Sequence, residues 1–396
     1  MLIQRAYKTA LHLNNREHTL LAGCAGAARF AFNWGLRQKI DEYATTGKNP
    51  HHYELHRRLT ALKKGELAWL YKYSKSIPQA ALRDLEQAFQ NFFRRVKNGE
   101  KPGFPRFKSR KRGIGSFRLY GSIRIEAGKI KLPRIGWLRL QEKGYLPTTG
   151  VKILSATLSE RAGRWFIALQ VEEEIADRTA AGPVVGVDLG IKSLAVISNG
   201  DIYQNPKAFG HALKRLARLQ RELARRQKGS HNRAKTRAKL AQLHYRITCL
   251  RQNAIHQATS RIVAKTKPDL ERPALVVMED LNVAGMMQNS KLARAVADVG
   301  LGEFGRQMAY KCAWNGTTLV KADRWFPSSK QCSRCGQVKA TLSLAERIFR
   351  CEACGLEIDR DFNAARNLRQ LGTARSAGDD SLAIVQACGE LAWAGL

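Results

Sequence analysis

The sequence predicts a multidomain protein, α/β plus β, in which a β-rich unit with a helical insertion precedes an α/β domain carrying a four-cysteine zinc ribbon. Three observations predict it. Apolar periodicity passes from two to that of a helix and back to two across residues 1 to 180. From Pro183 onward the order is strand, hairpin, helices, strand, helix, strand and helix, an α/β succession. Within that second part, the pairs Cys332/Cys335 and Cys351/Cys354 are Cys-x-x-Cys knuckles separated by fifteen residues, the spacing of a tetrahedral four-thiolate site.

Composition narrows the partners. The 396 residues hold 68 Lys plus Arg against 33 Asp plus Glu, a formal charge of +35, which points to a polyanion. A membrane surface is the competing polyanion. The best apolar run, Leu20 to Phe32, is too short to span a bilayer and is interrupted by Arg29. Met1-Leu2-Ile3-Gln4-Arg5 is followed by no signal-peptide apolar region. Cys24, Cys249, Cys312 and Cys388 are scattered singly, as in a reducing cytoplasm. The expectation is a cytoplasmic nucleic-acid-binding protein.

Residues 3 to 10 alternate as a strand, and Arg16 to Tyr43 carry a helical pattern that Gly47-Lys48-Asn49-Pro50 breaks. Further helices are expected over Tyr53 to Lys63 and Gln79 to Lys97; Leu82, Leu85, Phe89, Phe92 and Phe93 in the latter have the spacing of a core face. A Gly/Pro-broken loop follows. From Arg94 to Arg112 nine cations face one acid, with Phe104 and Phe107 interleaved, a pattern that suits phosphates and stacked bases, or else a basic linker whose aromatics plug a seam. Hairpins are expected at Ile123 to Leu132 and Lys152 to Val171, as parts of a small barrel that residues 3 to 10 could complete. Asp177 to Pro183 reads as a domain boundary.

In the second part, Pro183 to Asp188 is an apolar strand ending in a carboxylate, and a second strand returns after Gly190. Residues 207 to 267 form long helices with a break at Gly229-Ser230; from Lys207 to Arg272 eighteen cations face three acids. Ala274 to Asp280 is another buried strand ending in acids, and Thr317 to Trp325 a third strand. A helix over Phe362 to Leu371 follows the ribbon, begun by Asp361. The tail after Leu371, rich in Gly, Ala and Ser, is expected to be loosely held.

The ribbon cysteines could instead be disulfides or buried thiols, but nothing marks the chain as secreted. Each knuckle ends in Gly, which lets backbone amides turn toward the sulfurs. Asp188, Glu279 and Asp361, from two strand ends and a helix start, can hold a pair of Mg²⁺ ions for phosphodiester hydrolysis. Neighbouring residues on a strand point to opposite faces, so Glu279 is the expected ligand and Asp280 a loop or capping group. Asp359 is expected to cap the helix.

These residues carry a resemblance. Gly186-Val187-Asp188-Leu189-Gly190, Met278-Glu279-Asp280-Leu281, the four cysteines and Asp359-Arg360-Asp361-Phe362-Asn363-Ala364-Ala365-Arg366-Asn367-Leu368 resemble the TnpB (OrfB) proteins of bacterial insertion sequences. Arg324-Trp325-Phe326-Pro327-Ser328-Ser329-Lys330, Arg29 to Trp34 and Gly103 to Ser109 are similar to that family as well. The resemblance implies an RNase H-like (RuvC) nuclease related to type V CRISPR effectors, with a transposon-derived guide RNA and double-stranded target DNA as partners, cutting beside a short transposon-associated motif. By motif position it implies Asp188, Glu279 and Asp361 as the catalytic acids that bind the Mg²⁺ pair, while Cys332, Cys335, Cys351 and Cys354 are expected to be structural Zn²⁺ ligands. The implied plan is a wedge-like β-barrel at 1–13 and 114–180, a helical recognition module at 14–113, a nuclease domain at 181–371 with its ribbon at 328–357, and a flexible tail at 372–396. Lys75 and Gln79 are candidates for reading the motif. A binding-only regulator and a DNA-strand transposase are the other functions such a chain could have.

Overall fold

A computed structural model describes residues 1–263, 270–343, 345–376 and the strand Ile384–Gln386. The chain divides into two compact units, Met1–Ile175 and Ala176–Leu396.

In the first unit, β1 (Leu2–His12) is followed by α1 (Asn15–Thr46), α2 (His52–Leu62) and α3 (Ser76–Lys97) before strands resume. Asn14 caps α1 with a reciprocal pair: its Oδ1 accepts from Glu17 N at 2.8 Å, and Glu17 Oε2 accepts from Asn14 N at 2.8 Å. Gly47, at φ +68°, ends the helix in the left-handed conformation. The strands β2 (Ser116–Leu119), β3 (Arg124–Glu126), β4 (Lys129–Leu132), β5 (Gly136–Leu140), β6 (Val151–Arg161) and β7 (Arg164–Glu174) join β1 in one sheet ordered β2-β6-β7-β1-β5-β4-β3. The residue 3 to 10 strand thus pairs with β7, and its continuation Leu11 and His12 pairs with β5. Where a small, wedge-like barrel was expected, the hydrogen-bonded order runs from β2 at one end to β3 at the other. The helices share one core with the sheet: Leu21, Leu36, Leu82 and Leu85 cluster with Leu119, Leu158 and Leu169.

The second unit is built on a six-stranded sheet ordered β10-β9-β8-β11-β12-β15. Its strands are β8 (Gly182–Asp188), β9 (Ser193–Ile197), β10 (Ile202–Gln204), β11 (Pro273–Glu279), β12 (Thr318–Ala322) and β15 (Ile384–Gln386). The first three form an antiparallel meander; β8, β11 and β12 run parallel, and β15 adds an antiparallel edge. The basic helices are α4 (Ala208–Arg225) and α5 (His231–Val263); the last residues expected in them lie outside the described residues. Three helices occupy the stretch where one was expected: α6 (Val283–Gln288), α7 (Ala293–Val299) and α8 (Leu301–Asn315). Strand β12 stops before Trp325 because Asp323 turns the chain, its Oδ1 accepting from Trp325 N at 2.8 Å.

A small hairpin, β13 (Ile348–Arg350) with β14 (Glu357–Asp359), leads into α9 (Arg360–Ser376). The tail is therefore ordered further than expected: α9 runs on to Ser376 and β15 completes the sheet edge. The remaining tail residues lie outside the described ones. Among the described residues, no helix is long and apolar enough to cross a membrane.

Candidate active site

Strands β8 and β11 are parallel neighbours with Val187 opposite Met278. Asp188 and Glu279 therefore occupy the next position on each, side by side at the carboxyl edge of the sheet, where adjacent strands direct matched side chains to the same face. Helix α9 brings the third acid. It lies directly on β8: a Cβ at Gly186 would stand 2.0 Å from the Ala365 carbonyl oxygen. Asp361 sits one helical turn before Ala365, on the same helix face.

The charges of these acids act on one another. Burial pushes the Asp188 carboxyl well above the usual carboxylate range, and the charges of Glu279 and Asp361 push it further, with Arg360 acting the other way. Burial also raises Glu279, against the Ser328 hydroxyl and Arg360. Ser328 Oγ donates a hydrogen bond to Glu279 Oε1, fixing that carboxylate. All three acids keep part of their surface accessible, as a site that admits ions and water must.

The neighbouring acids have other partners. Asp280 is no cap: Lys321 Nζ stands 3.0 Å from its Oδ1 and Arg324 Nη2 3.4 Å from its Oδ2, and Lys321 above all holds its carboxyl below the usual range. Asp359 Oδ1 accepts from the backbone N–H groups of Asp361 and Phe362, both at 3.0 Å, and so caps α9.

The four ribbon thiols gather at one point, every Sγ within 4.8 Å of the others. Cys332–Cys354 and Cys335–Cys351 are each 3.6 Å apart, close to the roughly 3.8 Å between sulfurs of a tetrahedral site with 2.3 Å zinc–sulfur bonds. The knuckles are built alike. Gly336 N donates to Cys332 O at 2.9 Å and Gly355 N to Cys351 O at 3.0 Å, with φ +80° and +69°, a conformation glycine adopts without strain. The Cys354 amide draws the Cys351 thiol down to about 6. Cys335, despite the Gln337 amide, is held up to about 12 by burial and neighbouring thiols. Four thiols gathered at tetrahedral spacing are a donor set that fits zinc.

Sequence reasoning missed how the ribbon is fastened. Asn363 Nδ2 donates to Gln331 O at 2.6 Å, and Asn363 Oδ1 accepts from Ser333 N at 3.0 Å. Asn367, one turn on, donates to Ser328 O at 2.7 Å and Gln331 O at 2.6 Å. Both asparagines are buried. Two amides spaced by four on a helix face that also carries Ala364, Ala365 and Leu368 were the available signal, since a buried amide needs a partner.

The basic stretches of the first unit form a groove of 890 Å³ lined by Arg16, Arg29, Lys72, Arg110, Trp69 and Tyr73, among others. The loop beside it is pinned to α1: Asn33 brackets the Lys108 backbone at 2.7 and 2.9 Å, and Arg29 Nη1 donates to Ile114 O at 2.8 Å. Phe104 packs edge-on to Phe89 and Phe92, each 5.5 Å away, which makes it a plug as well as a half-exposed ring. Lys75 is exposed just before α3, and Gln79 is partly buried in its first turn.

Comparison with known proteins decides the family. Family models described as "Helix-turn-helix domain", "Probable transposase" and "Cas12f1-like, TNB domain" match residues 1–48, 157–290 and 302–368. A Streptomyces pristinaespiralis protein, provisionally named an RNA-guided DNA endonuclease, is 37% identical over 389 residues, covering 96% of this chain and 92% of that protein. The chain belongs to the TnpB (OrfB) family. A second TnpB-family relative, InsQ of Escherichia coli K12, also provisionally named an RNA-guided DNA endonuclease, is 31% identical across 99% of this chain and 95% of its own length. In fold, the TnpB chain is similar to Cas12f1 as seen by cryo-EM in complex with sgRNA and target DNA, with TM-score 0.56 and 14% identity, covering 93% of this chain and 99% of that one. The stretch matched as helix-turn-helix holds β1 and the single long helix α1 instead.

Proposed function

We propose that the protein is an RNA-guided DNA endonuclease that hydrolyses guide-matched double-stranded DNA at Asp188, Glu279 and Asp361. The observation that carries this reading is the convergence of the three carboxylates at the carboxyl edge of β8 and β11 under the start of α9. Like charges gathered in a partly buried place favour divalent cations, and burial, with the neighbouring acid charges second, raises Asp188 and Glu279 above the usual carboxylate range. The meander followed by parallel strands, with α9 across β8, suits an RNase H-like (RuvC) domain. The relatives' names and the Cas12f1 complex support guide RNA and target DNA as the partners.

Asp188, Glu279 and Asp361 would hold Mg²⁺, most simply a pair of ions, and Cys332, Cys335, Cys351 and Cys354 a structural Zn²⁺. Bound magnesium would supply a water activated at neutral pH and charge stabilisation for the leaving oxygen. Ser328 orients Glu279, and Arg360 offsets part of the negative charge of the three acids. The four thiols close a coordination shell with no open position, so the ribbon contributes stability rather than chemistry.

The test is cleavage of duplex DNA matched to the RNA that copurifies with the protein. Mg²⁺-dependent cutting that EDTA abolishes, without joined strand-transfer products, is the expected result. Matched binding with no cutting would favour a guided regulator, and joined ends would favour a transposase.

A further inference from the structure

Trp325 is 84% exposed, the most exposed large apolar side chain among the described residues. The chain around it is held firmly. Asp323 Oδ1 accepts from Trp325 N at 2.8 Å, Phe326 N donates to Asp323 O at 3.1 Å, and Ser328 N donates to Phe326 O at 2.8 Å. Phe326 packs on the core of Val277, Val320 and Leu368, and Asn367 holds the Ser328 carbonyl. The loop seats the residue after the tryptophan partly in the core and leaves most of the Trp325 side chain facing outward. Three residues beyond it, Ser328 grips the Glu279 carboxylate. Three residues of chain reach at most about 11 Å, so the Trp325 backbone lies within that distance of the residue that holds Glu279.

We propose that Trp325 stacks on a base of the DNA strand being cut, within about three nucleotides of the cleaved bond, given roughly 3.4 Å of rise per nucleotide. The inference rests on the nuclease reading above and adds a specific contact to it. The occupant follows from the surroundings. Arg324 and Lys321, half-exposed beside it, share the single carboxylate of Asp280 and so leave one net positive charge to face a phosphate backbone, and an aromatic face beside a cation is how single strands are held without sequence preference. Hydrolysis at the carboxylates also requires a DNA strand to lie across this part of the sheet edge. A base stacked on a fixed ring would stop that strand from sliding along the site.

The experiment uses the full-length protein with its copurified RNA and measures single-turnover cleavage of matched duplex DNA. Substrates carry one abasic site at each position near the cut. Trp325→Ala and Trp325→Leu should each slow cutting roughly ten- to a hundredfold, the range of one lost base–aromatic stack, while Trp325→Phe keeps most of the rate. At one DNA position the abasic site should slow the unaltered protein by a similar factor and slow Trp325→Ala no further. Zinc content and melting temperature should match the unaltered protein for all variants. Cleavage by Trp325→Ala and Trp325→Leu at the unaltered rate would overturn the stacking role. So would losses that multiply at every abasic position, or a shared loss found only for abasic sites in the guide RNA. If the unaltered protein does not cut matched DNA, the nuclease reading itself falls; cutting that is indifferent to Trp325 removes only the stacking contact.

Discussion

Gly186 lies so close beneath Ala365 that a β-carbon there would sit 2.0 Å from the Ala365 carbonyl oxygen and 2.5 Å from the Arg369 nitrogen. Both obstacles are backbone, so no rotamer change relieves them. Gly186→Ala should push α9 off the sheet, destabilising the second unit by about 3 kcal/mol or more, the upper range for overpacking. It should also displace Asp361 and lower cleavage. A melting temperature unchanged by this substitution would show that helix and strand are not in contact in solution.

Removing Asp188 should separate chemistry from binding. Asp188→Ala takes one ligand and one negative charge from the site, so cleavage should fall by several orders of magnitude while DNA affinity holds or rises slightly. Asp280→Ala breaks only the pairing with Lys321 and Arg324 and should leave cutting nearly intact. Asp359→Ala should cost about 1 kcal/mol as a lost helix cap and keep most activity. Parallel cleavage assays in Mg²⁺ and binding assays under chelation check this, and a dead Asp280→Ala variant would move the site to the other strand face.

The acids were legible because each ends a recognisable element: the apolar runs before Asp188 and Glu279 can hardly be anything but buried strands. The knuckles were legible because metal geometry constrains spacing. Ser328, Asn363 and Asn367 were not, since their partners are a carboxylate and backbone carbonyls at least thirty residues away, and nothing local distinguishes them from caps or surface groups. Strands β2, β5 and β15 were missed for a related reason: segments of three to five residues hold too few alternations to establish a period, and pairing decides them. The expected end of the last helix at Leu371 fell short because the Gly, Ala and Ser of the tail, Gly372 first among them, read as loosely held. Gly372 lies instead against Val184, Leu275 and Val277, where a larger residue would not fit.

One zinc per chain should copurify, and Cys332→Ser should lower it. Asn363→Ala and Asn367→Ala test the fastening separately from the metal. Asn363→Ala takes the side-chain acceptor from the Ser333 N–H, Asn367→Ala takes the side-chain donor from the Ser328 carbonyl, and Gln331 O keeps one of its two donors in either; the penalty is about 1–3 kcal/mol, yet neither removes a thiol. Both should retain zinc, measured by metal analysis, while losing thermal stability. Loss of zinc in either would mean that α9 shapes the knuckle itself.

Nucleic-acid affinity should fall steeply with salt. Each neutralised phosphate contributes about 0.7 to 0.9 log units of affinity per log unit of salt. Paired substitutions such as Arg29→Ala with Lys72→Ala in the groove, or Arg218→Ala with Arg221→Ala on α4, should flatten that slope without changing which sequences are preferred. Titrations of affinity against potassium chloride decide it, and an unchanged slope would make these cations solvated surface.

The register of the first sheet has a consequence for how such proteins diversify. Ala10 pairs with Phe166, Phe166 with Ser159, and Ser159 with Ser116, so the strand entering the helical insertion and the strand leaving it are anchored on a single row, three strand spacings or about 14 Å apart. The intervening segment is spliced between two fixed posts. Any replacement whose ends meet that separation could be exchanged without disturbing strand pairing, so the sheet can serve as a socket into which different helical insertions are plugged.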